Sequence, residues 1–344
     1  MDLSYFLISL LNGLSNGLLL FMLASGLTLI FSMMGVLNFA HASFYMVGAY
    51  LAYTVTQAIG FWWGLLLAPL LVGAMGAAFE RHALRRVHKF GHVPELLITF
   101  GLSYIALELV QLIWGRQALN FQPPESLRGS LFTIVELPAS AGGLGVAMGE
   151  KPDACASVAG AICTTFPEFR AFGMAVAVGM LVAVWLLLTR TRIGLVIQAA
   201  LTHPEMVEAL GHNVPRVFMM VFGGGTALAA LAGVIGGALR VTEPSMALAV
   251  GAQVFAVIVI GGMGSLAGAF IASVGLGVIE SFAVGSDRSI ADFLAWLDVA
   301  VTPQTFGYAV WSVKLSQIAA ILPFLLLVLI LIFRPKGLLG TREG

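Results

Sequence analysis

Between Gly35 and Phe44 the chain sets Asn38, His41 and Ser43 into otherwise oily surroundings, with long apolar runs on either side. An amide, an imidazole and a hydroxyl supply hydrogen-bond donors and acceptors without a fixed charge. They suit two tasks: binding a small polar solute, or hydrogen-bonding a neighbouring helix. In lipid, a helix interrupted at Gly35 is tolerated only where protein or a water-filled path satisfies the freed backbone groups. The break is therefore a candidate lining of a translocation path. A second break, Ile260–Gly268 (IGGMGSLAG), carries Gly261, Gly262, Gly264 and Ser265. Glycine there permits either chain reversal or close helix packing. Paired Gly-interrupted segments are the pattern of transporters whose site lies between two repeats.

The surrounding composition says what must position these residues. Of 344 residues, 59% are hydrophobic and 10% charged, against about 25% charged in an ordinary soluble domain. Uncharged apolar runs such as Ala171–Thr189 and Leu315–Phe333 reach the roughly 20 helical residues that cross a bilayer. The chain reads as an all-α polytopic membrane protein with about 8–9 transmembrane helices. Broken or re-entrant elements fall near residues 35–43 and 260–268. The expected spans are Tyr5–Phe31, Ser43–Ile59, Phe61–Phe79, Glu95–Trp114, Ala171–Thr189, Arg216–Leu239, Val250–Gly261, Ala267–Gly285 and Val310–Phe333. If the first break re-enters instead of crossing, the count falls to eight and the N-terminus changes side.

Net charge is zero, but Arg and Lys cluster at Arg81–Lys89, Arg190–Arg216 and Arg334–Arg342. The positive-inside rule makes those segments, and so the C-terminus, cytoplasmic. Residues 117–169 hold two basic and five acidic side chains and read as an external loop. Its Gln122-Pro123-Pro124 and Ala141-Gly142-Gly143 stretches suggest irregular structure with one short helix. Cys155 and Cys163 both lie there, where an oxidising compartment would permit a disulfide; spacing alone leaves the bond open.

The segment Leu201–Arg216 carries its own signals. Thr202 and Glu205 have capping-box spacing, Pro204 suits a first helical turn and Gly211 a left-handed stop. A helix Pro204–Leu210 follows, with Met206, Val207 and Leu210 on one face and Glu208 off it. So short a helix must pack on its own loops or on a partner. Three ionisable residues fall within apolar spans: Glu108, Glu280 and Lys314. Glu280 and Lys314 lie near helix ends, where they can snorkel. Glu108 is deeper, as a proton carrier or a protonated carboxyl bonded to a neighbouring helix.

Absences narrow the class. None of Lys89, Lys151, Lys314 or Lys336 precedes Ser or Thr, so there is no Walker A phosphate cradle. No H-E-x-x-H, G-x-S-x-G or Cys/His cluster occurs, so the pattern points neither to an enzyme nor to nucleic-acid binding, and to no cofactor or metal in this chain.

Four stretches together resemble one family, the membrane permeases of bacterial branched-chain amino acid ABC importers, with their urea, amide and aromatic-acid relatives. Gly35-Val36-Leu37-Asn38-Phe39-Ala40-His41 followed by Phe44–Tyr50 resembles its G-x-x-N-F-A-H-G-E-F-Y-M-x-G-A-Y signature. Leu210-Gly211-His212-Asn213-Val214-Pro215-Arg216 is similar to its cytoplasmic L-G-x-N-x-x-R segment, Gly261–Gly268 to G-G-x-G-S-x-x-G, and Arg334–Leu338 to R-P-x-G-L. The N-F-A-H form matches the first of the family's two permeases. The resemblance implies a single transmembrane permease domain over residues 1–344, with a periplasmic loop at 117–169 and a coupling segment at 201–216. It implies a bacterial inner-membrane location and partners: a paralogous second permease, two cytoplasmic ATPase subunits that bind ATP, a periplasmic substrate-binding protein and the lipid bilayer. Asn38, His41, Ser43 and the second glycine break would line or gate the path, and Thr202–Gly211 would engage an ATPase. The sequence departs from the pattern at Ala42-Ser43, in place of Gly-Glu, and at Ala267, in place of Pro. The solute is therefore open between a branched-chain amino acid and another small polar organic molecule. A rival reading from the residues is an ion-coupled secondary transporter that uses Glu108.

Overall fold

The computed structural model describes residues 3–35, 37–137, 143–149, 152, 154–158, 161–296 and 302–340. Val36, Ala141, Gly142, Lys151 and Arg342, each used above, lie outside the described residues.

The first helix, α1 (Leu3–Met34), carries no charged side chain and no proline. At 1.5 Å per residue it spans about 48 Å, more than a hydrocarbon core of about 30 Å. It stops at Gly35, whose φ of 67° leaves the helical region while its N–H still reaches the Phe31 carbonyl. Helices α2 (His41–Ile59) and α3 (Phe61–Phe79) follow, separated only by Gly60. A π-helical turn, Glu80–Leu84, and an α-helical turn, Arg85–His88, extend α3 towards α4 (His92–Trp114). Beyond the loop come α5 (Glu168–Arg190), α6 (Arg192–Thr202), α7 (Pro204–Ala209) and α8 (Val214–Leu239). The second half closes with α9 (Met246–Gly261), α10 (Leu266–Val284) and α11 (Leu322–Phe333).

Each of the nine expected spans meets a helix. Seven helices among the described residues are long and apolar enough to cross a membrane. The other two expectations meet α2 and α9. Helix α2 is diluted by His41, Ser43, Thr54, Thr56 and Gln57, and it is surrounded by α3, α4, α8 and α9. Helix α9 has 16 residues, about 24 Å, short of a full crossing. The last span begins later than expected. Tyr308–Trp311 is a separate turn, and the chain straightens at Lys314 before Leu315 resumes the helix. Backbone bonds from Leu315 N–H to Arg288 O and from Ile290 N–H to Val313 O hold that straightened stretch.

Helices α1, α2 and α8 form the centre, with α10 along α1 and α3 along α8. The α1–α10 crossing is close enough to exclude side chains: a Cβ on Gly277 would lie 2.4 Å from Gly17 N and 2.5 Å from Gly13 O. With no hydrophobic gain between helices in lipid, such backbone-to-backbone approach is what small residues contribute. Helices α4, α5 and α11 lie outermost, with most of their surface left uncovered by this chain.

The 117–169 loop departs from the expected irregular structure. Three strands, β1 (Ser130–Glu136), β2 (Leu144–Met148) and β3 (Ile162–Pro167), form an antiparallel sheet in the order β2-β1-β3. β1 supplies the buried residues Thr133, Ile134 and Val135, and Phe132 stacks on Phe166 across the pair. The β-branched run Thr133-Ile134-Val135 favours a strand. Cys155, in the short turn Ala154–Ser157, is disulfide-bonded to Cys163 of β3, with 6.0 Å between their Cα atoms.

Candidate functional site

The break after α1 opens into the main cavity, about 360 Å³, within the size range of small-molecule sites. Its wall is drawn from the break itself (Leu37, Asn38, Phe39), the first turn of α2 (His41, Ala42, Ser43), α4, α9 and Phe324 of α11. No Asp, Glu, Lys or Arg is among its lining residues.

Local geometry orients its polar groups. Asn38 Oδ1 accepts the Ala40 N–H at 3.0 Å, and the Asn38 carbonyl accepts the His41 N–H at 3.1 Å, which starts α2. With its oxygen committed, the Asn38 amide leaves Nδ2 as a buried donor with no protein partner. His41 Nε2 lies 3.0 Å from the Leu23 carbonyl of α1. A carbonyl only accepts, so Nε2 carries the proton and, in the neutral ring, Nδ1 is left as an acceptor. Nδ1 is buried and unpartnered too. Asn38 is 4% exposed and His41 1%, so a buried donor and a buried acceptor, both uncharged, sit at the wall of an apolar cavity. Leaving such groups unsatisfied costs about 1–3 kcal/mol each, which a solute with matching polar groups would offset.

The second break lies elsewhere. Gly262 has φ of 101° and Gly264 of 89°. A Cβ on Gly262 would sit 2.4 Å from Gly340 N, and one on Gly337 2.5 Å from the Gly262 Cα. Leu338 and Leu339 N–H donate to the Ile260 and Gly261 carbonyls at 2.8 and 3.0 Å. Gly262 thus lets the closing Arg334–Gly340 segment seat on the end of α9, whereas a Cβ on Gly261 would meet Gly268 and one on Gly264 would meet Ser32. Ser265 caps α10 by accepting the Gly268 N–H at 3.0 Å. None of these four residues lines the main cavity.

In the segment 201–216 the expected capping box does not form. Thr202 is the last residue of α6, its hydroxyl donating to the Ala199 carbonyl, and His203 takes the N-cap position. The reason is α6, which the sequence reading overlooked. Thr191 caps it by accepting the Gly194 N–H, and Ile197 and Ala200 give it a buried face. Pro204 then forces the residue before it out of helical geometry, and His203 has φ of −140°. Helix α7 runs one residue shorter than expected and ends in a Schellman motif: His212 N–H bonds to Val207 O and Gly211 N–H to Glu208 O. Val207 alone of the expected apolar face is buried, against Ile197, Ala200, Val214, Val217 and Val221. Met206 and Leu210 stay exposed, at 64% and 79%, as do Glu205 and Glu208.

Glu108 lies on the exposed face of α4, one turn beyond Tyr104, and does not line the cavity. Glu280 accepts from Gln253 Nε2 at 3.2 Å, and Lys314 pairs with Asp287 at 3.1 Å on the exposed protein surface. The sequence reading missed Ser103 and Tyr104, which face the cavity from α4, and the fully buried Glu95 beneath it. Ser103 and Tyr104 are the polar pair in an apolar run, a signal that was there to be used. Among the described residues no group of three or more His, Cys, Asp or Glu is placed to hold a metal ion.

A helical bundle of this depth, broken at an uncharged cavity with unpartnered polar groups, is the build of a membrane permease. The model of the family described as "Branched-chain amino acid transport system / permease component" matches residues 9–331, and the chain belongs to that family. It is similar to the high-affinity branched-chain amino acid transport system permease protein BraD of Pseudomonas aeruginosa, 26% identical over 99% of this chain and 98% of that protein. The corresponding LivH protein of Escherichia coli strain K12 is 27% identical over 98% of this chain and 97% of its own length. The probable branched-chain amino acid permease LivH of Methanocaldococcus jannaschii is 28% identical over 76% of each chain. No solved structure matches the chain.

Proposed function

We propose that this chain is the permease subunit of an ATP-driven importer for branched-chain amino acids or a related small polar organic solute. It forms the path with a paralogous permease and is driven by separate ATPase subunits. The observation that carries this reading is the cavity at the first break, lined by Asn38 and His41, whose Nδ2 and Nδ1 atoms are buried without protein partners. An apolar wall suits an aliphatic side chain, and the donor–acceptor pair suits a polar head. The relatives' names support the same solute class. Asn38, His41 and Ser43 would line the path. Gly261, Gly262, Gly264 and Ser265 would act as a gate, with the closing segment seated on Gly262. Met206 and Leu210, exposed on α7, would enter a groove on an ATPase, flanked by Glu205 and Glu208. The basic residues Arg81, Arg85 and Arg86, with Arg334 and Lys336, support a cytoplasmic C-terminus in a bacterial inner membrane. ATP-driven closure of the ATPases would then move α7 and alternate the cavity between outward and inward access.

The test is purification of the tagged chain from its native membranes in mild detergent, with quantification of what accompanies it. Two ATPase subunits and a second permease in fixed proportion are expected. A chain that purifies alone, and moves protons with solute in vesicles, would overturn the reading in favour of coupling through Glu108.

A further inference from the structure

Five residues separate Glu80 from Arg85, which in an α-helix would place them about 140° apart around the axis. The π-helical turn Glu80–Leu84 removes that separation. Arg85 Nη2 reaches Glu80 Oε2 at 2.7 Å and Nε reaches Oε1 at 3.2 Å. Glu80 is buried, so its carboxylate depends on this guanidinium. The same Nη2 donates to the Pro215 carbonyl at 2.6 Å. Pro215 opens α8 directly after the 201–213 segment, whose helix α7 is fastened to α8 by Val207, Val214 and Val217.

The other end of the turn reaches the cavity floor. Leu84 is buried and, with Glu95, Thr99 and Asn38, lines a small void below the main cavity. His88 Nδ1 donates to Glu95 Oε1, and His92 Nδ1 lies 3.6 Å from Oε2. Thr99 Oγ1 accepts the Phe39 N–H at 3.3 Å. A continuous run of contacts therefore leads from Pro215 through Arg85 and the π turn to His88, Glu95, Thr99 and the broken segment at Asn38–Phe39. π turns within α-helices recur at functional sites.

We infer that the Glu80–His88 turn transmits movement of the 201–213 segment to the inner end of the cavity, with Arg85 as its positioning residue. The inference rests on the proposed ATP-driven reading and adds to it the route of coupling. Arg85 does not line the cavity; it holds Glu80 and Pro215 in one frame.

The test uses the intact complex purified through this chain and reconstituted in proteoliposomes, with ATP hydrolysis and uptake of radiolabelled leucine measured on the same preparation. Arg85→Ala is expected to lower leucine uptake per ATP by about tenfold, within the range of a coupling residue, while hydrolysis stays within about twofold of the parent. Arg85→Lys recovers only part, since an ammonium cannot hold both Glu80 oxygens and the Pro215 carbonyl. Thr99→Val, at the far end and near in shape, is expected to act in the same direction. Because both lie on one route, the Arg85→Lys/Thr99→Val double variant should lose no more coupling than the worse single. Losses that multiply, or uptake and hydrolysis falling together, would overturn the inference, and so would unchanged coupling in Thr99→Val should Arg85→Ala fail to assemble. A separate result, ATPase content unaffected by Met206→Asp with Leu210→Asp, would remove the coupling-helix reading and the inference with it.

Discussion

Gly262→Ala should release the closing segment of the chain. At φ of 101° the new residue would occupy a region that side chains rarely adopt, at about 1–3 kcal/mol. Its Cβ would also press on backbone, 2.4 Å from Gly340 N and 2.6 Å from Gly340 Cα; overpacking of this kind costs about 1–3 kcal/mol. Together these give roughly 2–6 kcal/mol, acting on a segment held by two backbone bonds, Leu338 N–H to Ile260 O and Leu339 N–H to Gly261 O. Gly264→Ala isolates the first effect. Its φ is 89°, but a Cβ there would meet nothing nearer than Ser32 Oγ at 3.4 Å. The two variants should differ by about 2 kcal/mol, or about 30-fold in the population of the released segment. Limited trypsin digestion in detergent reads that population, since Arg334 precedes proline and the exposed Lys336 is the nearest cleavable site. Cleavage after Lys336 should follow the order parent, Gly264→Ala, Gly262→Ala. Equal rates in all three, or Gly264→Ala matching Gly262→Ala, would refute the argument that close approach seats the segment.

Thr202→Ala should leave α7 and ATPase content unchanged within about 0.5 kcal/mol of stability, since Thr202 caps nothing; a loss of copurifying ATPase would restore the capping box. His41→Ala should lower uptake without dissociating the complex, because it removes the cavity acceptor and leaves the Leu23 carbonyl unpaired, at about 1–3 kcal/mol. Unchanged uptake kinetics would take His41 out of the path. Reducing the Cys155–Cys163 bond, which closes a sequence separation of 8, should destabilise the β1–β3 sheet locally by about 2–3 kcal/mol. Faster amide exchange confined to β1 and β3 would show it; exchange spreading into α1 or α8 would contradict a local role.

Residue order alone made the bundle legible, because a bilayer demands long apolar helices and the chain has few other ways to satisfy its backbone. It also located the first break, since Gly35 followed by Asn38 and His41 is conspicuous against oil. The family motifs added the assignment of the 201–216 segment. What residue order could not supply was anything set by contacts between distant segments. Gly262 reads the same whether it gates a path or seats Gly337 and Gly340. Thr202 and Glu205 have capping-box spacing, yet packing of Ile197 and Ala200 carries α6 through Thr202 and leaves His203 to begin α7. Glu95 only opens the expected span Glu95–Trp114, and nothing in residue order brings His88 and His92 to its carboxylate. A Cβ–backbone distance or a buried carboxylate exists only once the helices are packed, and those distances separate a pathway residue from a structural one.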